Sequence, residues 1–335
     1  MEKKLYYQVK KPVDLSRLPE IKGYDFEKKF DYDKFIDSFN TTGIQASELG
    51  KAIEITRSMI REKTSIFLSY TSNMVSSGVR EIIKYLVKGN KIHILCTAAG
   101  GIEEDCIKAR EPFRLGDFHV KGDVLFDSGI GRIGNIFATN EHYSYFEFFL
   151  RKVFDKIIEE RKQDKEDIIV TPTQLCHMMG KVLEEDKEYD HESSILYWAY
   201  KNDIPVFCPG IVDGAIGDMY YFYKKQHKNF FIDVGEDHIK IIDYVLNCKK
   251  TGGIILGGGI SKHYILNANI FREGFDYSVY ISTAQFSDGS DSGGNQEEAI
   301  SWAKIKTNAS RVKVYSDATI AFPILVSATF AKKDR

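Results

Sequence analysis

The sequence predicts an α/β chain with a doubly wound, mainly parallel sheet and helices on both faces. It forms a single large domain behind an N-terminal helical arm. Three observations carry this reading. Short apolar runs rich in β-branched and aromatic residues recur along the chain, and each stops at a turn of Gly, Pro, Ser, Thr or Asp. The runs are apolar throughout instead of alternating, as strands buried on both faces must be. Helical patterns separate them, and strands joined through helices lie parallel. Such a sheet is Rossmann-like, and its ligands sit beyond the carboxyl ends of the strands.

Residues 1–35 are charged and aromatic and hold Pro12 and Pro19, which predicts an extended arm with one helix. The domain proper is read as 36–335. Leu49, Ile53, Ile55, Met59 and Ile60 fall at helical spacing within 46–60, as do Met74, Val75, Val79, Ile82, Ile83, Tyr85 and Leu86 within 72–88. Predicted strands follow at 92–96, 167–170, 204–207, 253–256, 277–281 and 312–315. Their ends meet Ala99-Gly100-Gly101, Thr171-Pro172-Thr173, Cys208-Pro209, Gly257-Gly258-Gly259, Ser282-Thr283 and Ser316-Asp317, so these turns should share one rim. No shift in composition marks a second domain.

Of 335 residues, 43% are hydrophobic, enough for a large core. Lys and Arg number 46 against 48 Asp and Glu, a balance that argues against the basic face of a nucleic-acid binder. The longest apolar stretch, 321–331, is about half the ~20 residues that a spanning helix requires, and no secretory signal is evident. Five scattered cysteines without a Cys-x-x-Cys pair give neither a disulfide framework nor a zinc site. The eight histidines lack the spacing for a metal on one helix face. The expectation is a cytoplasmic protein with no metal, nucleic-acid or membrane partner.

Three features bear on chemistry. Two glycine-rich turns, 97–105 and 256–263, follow predicted strands, where glycine lets free amides approach a pyrophosphate. Neither is a G-x-G-x-x-G fingerprint, so each also reads as a plain strand-to-helix turn. Glu103 and Glu104 beside the first turn suit ribose hydroxyls, hence NAD over NADP, or else the first turn of a helix. Second, Asp213 and Asp218, then Asp288 and Asp291 followed by Glu297 and Glu298, lie in glycine-punctuated segments without the full ligand pattern of a calcium loop. Carboxylates converging on one rim suit a polycationic organic ligand. Third, Lys304 has apolar neighbours and Trp302 two residues before it. A lysine in an apolar pocket tends to the neutral amine, a nucleophile able to form imines. Lys262 and Lys306 are equally open on this reasoning. Together the pieces suggest a nicotinamide taking hydride, acids holding an amine, and a lysine intercepting the imine.

The order and spacing of Gly257-Gly258-Gly259-Ile260-Ser261-Lys262-His263, Asn267-Ala268-Asn269, Asp288-Gly289-Ser290-Asp291-Ser292-Gly293 and Glu298-Ala299-Ile300-Ser301-Trp302-Ala303-Lys304 resemble the deoxyhypusine synthase family. So do Gly23-Tyr24-Asp25-Phe26, Thr41-Thr42-Gly43-Ile44-Gln45-Ala46, the segment 70–78, Ala99-Gly100-Gly101-Ile102-Glu103-Glu104-Asp105 and the segment 213–219, and the likeness runs from about residue 22 to 332.

The resemblance implies an NAD-dependent transferase. It would cleave spermidine, release 1,3-diaminopropane, and carry the 4-aminobutyl group on an enzyme lysine to a lysine of the initiation factor 5A precursor. It implies Lys304 as covalent acceptor and His263 for proton transfer. Asp218, Asp291 and Glu298 would bind the spermidine ammoniums, Trp302 and Tyr280 would shape the channel, and Asn267 and Ser290 would have lesser parts. The dinucleotide would contact Ser72, Asn73, Ser76, Ala99, Gly100, Glu104, Asp213, Gly258, Gly259, Thr283, Ala284, Asp288, Ser316 and Asp317. A homotetramer of two tight dimers is also implied, with each site shared across a dimer interface and an N-terminal segment able to plug a neighbouring site.

Ala98 stands where the family has threonine, Ala303 where it has glycine, and Tyr264 where it has a second histidine. The segments 285–288 and 210–212 also depart from the family pattern. Two rival readings stay open: a homospermidine synthase passing the group to putrescine, and a regulatory subunit of a catalytic paralogue. The second is disfavoured by the presence of Lys304, His263, Asp291 and Glu298.

Overall fold

The computed structural model describes residues 14–161 and 167–332. Its strands are β1 (Ser65–Tyr70), β2 (Ile94–Thr97), β3 (Arg114–Leu115), β4 (Ile130–Ile133), β5 (Ile136–Thr139), β6 (Ile168–Val170), β7 (Val206–Phe207), β8 (Phe230–Ile232), β9 (Thr251–Leu256), β10 (Phe275–Ile281) and β11 (Ile305–Val314). Six of them form one parallel sheet in the order β11-β10-β9-β1-β2-β7. The chain therefore builds outward from β1 to β7, returns to the centre at β9, and builds outward the other way. The reversal lies between β1 and β9, paired from Ser65 with Thr251 to Tyr70 with Leu256. In such a sheet the crevice beyond the strand ends at the reversal is where ligands bind.

The uniformly apolar strands have the cause expected of them. Along β1, Ile66, Leu68 and Tyr70 enter one buried cluster, and Phe67 enters the other. In β9, Ile254 and Leu256 face the first cluster while Ile255 faces the second. Helices 44–61, 79–88 and 318–328 supply the first cluster, and 234–246 and 259–268 the second.

Several elements differ from the sequence reading. β1 was not among the predicted strands, because Ser65 and Ser69 punctuate its apolar run. β6 is a strand, but it pairs in parallel with β8 apart from the main sheet. β11 begins at Ile305, well before the apolar run at 312–315, because it is a sheet edge whose first half carries Lys306, Thr307 and Asn308. The short antiparallel sheet β3-β5-β4 is largely exposed and leaves little hydrophobic signature. The helix read over 72–88 breaks at Ser77-Gly78 into Asn73–Ser76 and Val79–Lys88.

Of the predicted arm, residues 1–13 lie outside the described residues. Residues 14–31 run mostly exposed, with Tyr24 set edge-on to Phe26, Phe30 and Phe35. The helix Tyr32–Thr42 spans the boundary read at residue 35.

Candidate active site

Three turns meet at the reversal of the sheet. After β1 come Ser72 and Asn73, after β2 Ala99 and Gly100, and after β9 Gly257-Gly258-Gly259. A Cβ on Gly100 would lie 3.0 Å from Cβ of Ser72, so the first two turns pack directly on each other. Gly257 and Gly259 take φ of +87° and +67°, which L side chains rarely adopt. Around the missing Cβ of Gly259 nothing lies within 4 Å, which leaves its backbone open to a ligand. Gly258 instead seats the neighbouring loop, since its Cβ would meet Cα of Ser292 at 2.4 Å.

Glu104 is buried in the helix Ala99–Lys108 and accepts a hydrogen bond from the Ser76 hydroxyl. Burial pushes its carboxyl up to about 7, against the opposing effect of that hydrogen bond. Glu103 turns the other way. It accepts the Ile216 amide at 2.8 Å, at the start of the helix Ala215–Gln226, and so serves that helix end instead of a ribose. Asp213 and Asp218 flank this helix start and are both exposed. Ala98 makes no side-chain cap for its helix, the place where a threonine hydroxyl would act.

A cavity of about 600 Å³ opens beside the first turn, lined by Asn73, Ser76, Lys108, Phe113, Arg114 and Asp317 among others. Asp317 caps the helix Ala318–Ala328 by accepting the Thr319 amide at 2.7 Å, and Ser316 beside it is half-buried. On the opposite side, Thr283, Ala284, Asp288 and Ser290 follow β10. Ser290 donates its amide to Asp288 Oδ1 at 2.8 Å and holds that carboxyl below its usual range.

The lysine-bearing cluster sits against this loop. Tyr280 is buried on β10, and its hydroxyl has no hydrogen-bond partner; nor does Asp291 Oδ2, which is also buried. A Cβ on Gly294 would lie 3.1 Å from Glu298 Oε2, and both Asp291 and Glu298 act electrostatically on Lys262 and Tyr280, so the two acids border the same neighbours. Lys304 is buried at 9% exposure, and its Nζ lies 3.1 Å from Nε2 of His263. His263 projects from the helix Gly259–Ala268, on the same face as Asn267 one turn on. The backbone of Lys304 is held by its amide to Ala299 O and by Phe275 N to its carbonyl. Immediately before it, Ala303 has φ of +55°, the left-handed conformation that the family's glycine would enter without a Cβ.

Trp302 stands out from the buried residues around Lys304. It is 65% exposed, and the helix Gln296–Ser301 ends just before it. Tyr264 packs near Phe207 and His238 in the second core cluster. Of the alternative lysines, Lys306 pairs with Asp276 at 2.7 Å, and Lys262 donates to the carbonyls of Asp291 and Gly294. Lys304 alone of the three meets neither a carboxylate nor a carbonyl. Sequence reasoning passed over Lys313, which is buried on β11 and donates to the carbonyls of Ala284 and Gly293; a lysine interrupting the apolar run Val312-Lys313-Val314 was the available signal. Among the described residues no cluster of His, Cys, Asp and Glu could hold a metal ion, and no helix is long and apolar enough to cross a membrane.

A family model described as deoxyhypusine synthase matches residues 34–329. The chain is 46% identical to a deoxyhypusine synthase of Arabidopsis thaliana, over 94% of this chain and 90% of the relative. It is 48% identical to a protein of Methanocaldococcus jannaschii assigned the same activity, over 85% and 88%. A crystal structure from Entamoeba histolytica, also assigned as a deoxyhypusine synthase, superposes with a TM-score of 0.65 at 29% identity, over 94% of this chain and 98% of that one.

Proposed function

The chain belongs to the deoxyhypusine synthase family and is a transferase, and from that premise we propose that it uses NAD to move the 4-aminobutyl group of spermidine, through Lys304, to a lysine of the initiation factor 5A precursor. The observation that carries the assignment of Lys304 is its position: buried, without a carboxylate or carbonyl partner, and 3.1 Å from an imidazole nitrogen. An amine so placed can lose its proton to His263 and attack carbon.

The residues present fit a dinucleotide. The turns at Ser72, Gly100 and Gly259 converge where a doubly wound sheet binds such ligands, Gly259 leaves its backbone open, and Glu104 is a buried acid beside Ser76. Ser72, Asn73, Ser76, Ala99, Gly100, Glu104, Asp213, Gly258, Gly259, Thr283, Ala284, Asp288, Ser316 and Asp317 are the proposed contacts. When bound, NAD supplies an acceptor for the hydride that leaves the amine-bearing carbon of spermidine, and that hydride is returned at the end.

Spermidine carries about three positive charges at neutral pH, and a cation taken from water needs an anion beside it. Asp291, with a buried oxygen lacking a partner among the described residues, and Glu298, which acts on the same Lys262 and Tyr280, are suited to hold its ammoniums, and Asp218 is exposed. Tyr280, Asn267 and Ser290 complete the proposed channel. Oxidation of the secondary amine leaves a carbon–nitrogen double bond. Lys304 Nζ adds to that carbon, and the bond to the departing nitrogen breaks as 1,3-diaminopropane takes a proton from His263. The acceptor lysine then displaces Lys304 in the same manner. Trp302 and His263 are exposed, which leaves room for a second chain to close each site, as in the homotetramer we propose.

The test is incubation of the full chain with NAD, labelled spermidine and either the precursor protein or putrescine, followed by mass analysis. Label on the precursor together with free 1,3-diaminopropane is expected. Label passing to putrescine alone would identify a homospermidine synthase, and no transfer by the chain alone would favour a regulatory subunit.

A further inference from the structure

Two buried lysines that the reaction does not consume grip one loop. Lys262, 3% exposed, donates to the carbonyl oxygens of Asp291 and, at 3.0 Å, Gly294. Lys313, 9% exposed, donates to the carbonyls of Ala284 at 3.1 Å and Gly293 at 2.7 Å. The third side of each ammonium faces a ring, Tyr280 at 5.0 Å and Tyr315 at 4.5 Å. Among the described residues neither forms an ion pair, and burial holds both below the usual lysine range. Taking two cations from water without a carboxylate within ion-pair distance is costly. Stability of the core is therefore a poor reason for either lysine.

Their placement supplies a better one. Lys262 precedes His263 on the same helix, and it holds the main chain of Asp291 itself. Lys313 lies on β11, the strand that starts directly after Lys304. The segment they hold, 284–294, carries Asp288, Ser290 and Asp291. It also closes tightly on itself, since a Cβ on Gly293 would lie 1.7 Å from the Gln285 carbonyl oxygen. We propose that Lys262 and Lys313 are positioning residues that fix this loop, and with it the Asp291 carboxylate, relative to the Lys304–His263 pair. Lys262 sets the substrate-facing end, and Lys313 ties both ends together. The proposal rests on the reading of Asp291 as a ligand of the substrate ammonium.

The experiment compares Lys262→Met, Lys313→Met and Asp291→Asn in the full chain, with steady-state kinetics, NAD binding and hydrogen exchange of residues 284–294. Loss of two charge-assisted hydrogen bonds predicts that Lys262→Met raises the spermidine KM about ten-fold or more, with kcat and NAD affinity changed far less. Exchange across the loop should accelerate by a similar factor, and Lys313→Met should weaken both ligands. A merely structural role would reduce the active fraction and leave KM alone. If Asp291→Asn leaves the spermidine KM unchanged, the underlying site reading fails. If Asp291→Asn raises it and folded Lys262→Met does not, the positioning role is overturned. Should the Met variant lose its cooperative melt, Lys262→Gln keeps a neutral, shorter N–H donor group and must show a smaller KM rise in the same direction; an unchanged KM would count against the proposal equally.

Discussion

Nζ of Lys304 and Nε2 of His263 lie 3.1 Å apart, with the lysine buried and the imidazole exposed. One end of the pair is sheltered from water while the other can exchange protons with it. Lys304→Ala is expected to abolish aminobutyl transfer and leave NAD binding intact, because the proposed role of the amine is that of acceptor and not of cofactor ligand. His263→Ala should slow transfer by about 10²- to 10⁴-fold with little change in spermidine affinity. Transfer of label at the normal rate by the Lys304 variant would show that another nucleophile operates.

Asp291→Asn and Glu298→Gln should weaken spermidine binding by about 10- to 100-fold each, the value of a hydrogen bond to a charged group, and affect NAD far less. Calorimetric titration of each ligand separately checks this. Equal losses for both would place these carboxylates outside the amine site.

At Ala303 the Cβ is held at φ of +55°. Left-handed backbone costs a non-glycine residue about 1–2 kcal/mol, partly offset by the extra freedom glycine loses on folding. Ala303→Gly is therefore expected to stabilise the chain by about 0.5–1 kcal/mol, read as a higher Tm. A lowered Tm would mean that the Cβ makes packing contacts worth more than the strain.

Glu104 gives the stability a pH dependence. Its folded value of about 7 exceeds the ordinary 4.5, so the folded chain holds this proton more tightly than the unfolded chain. The associated stability is full below the ordinary value and is lost as pH rises through about 7, on the order of 3 kcal/mol in all. Without NAD, Glu104→Gln should melt higher than the parent at pH 8 and nearly with it at pH 4. Parallel melting curves across that range would show that the carboxyl is ionised in the folded state throughout.

Asp105 is expected to matter for folding more than for chemistry. It accepts from Arg80 Nε at 2.8 Å, from the Ser194 hydroxyl at 2.6 Å, and from the amides of Ile195 and Leu196. Asp105→Asn removes the buried charge partner of Arg80, leaving it only the exposed Glu81 at 3.5 Å, and should cost about 3–5 kcal/mol by denaturant unfolding. A loss under 1 kcal/mol would mean that water reaches the pair.

The glycines at 257–259 could be read from the chain because a strand-to-helix turn with open backbone is encoded locally. The same holds for the left-handed residue before Lys304, which the departure at Ala303 brought into view. β1 was hidden because two serines break its apolar run, although the sheet buries both of its faces. The distinction among Lys262, Lys304 and Lys306 was not readable from their neighbours in sequence and came only with the family resemblance. What separates them is whether a carbonyl or carboxylate arrives from elsewhere in the chain, and Gly294 and Asp276 are brought to Lys262 and Lys306 only by the packed sheet. Glu103 and Glu104 are neighbours in sequence, yet helix geometry turns one to Ile216 and the other to Ser76.

The central seam of the sheet pairs Ser65 with Thr251, so the strand laid down first waits for a neighbour from the far part of the chain. A ribosome that has released β1, β2 and β7 has made half a floor with none of the residues His263, Asp291 or Lys304 yet synthesised. The crevice where the three turns meet therefore takes shape only once β9 and the glycines after it have been made, and Asp291 and Lys304 follow still later.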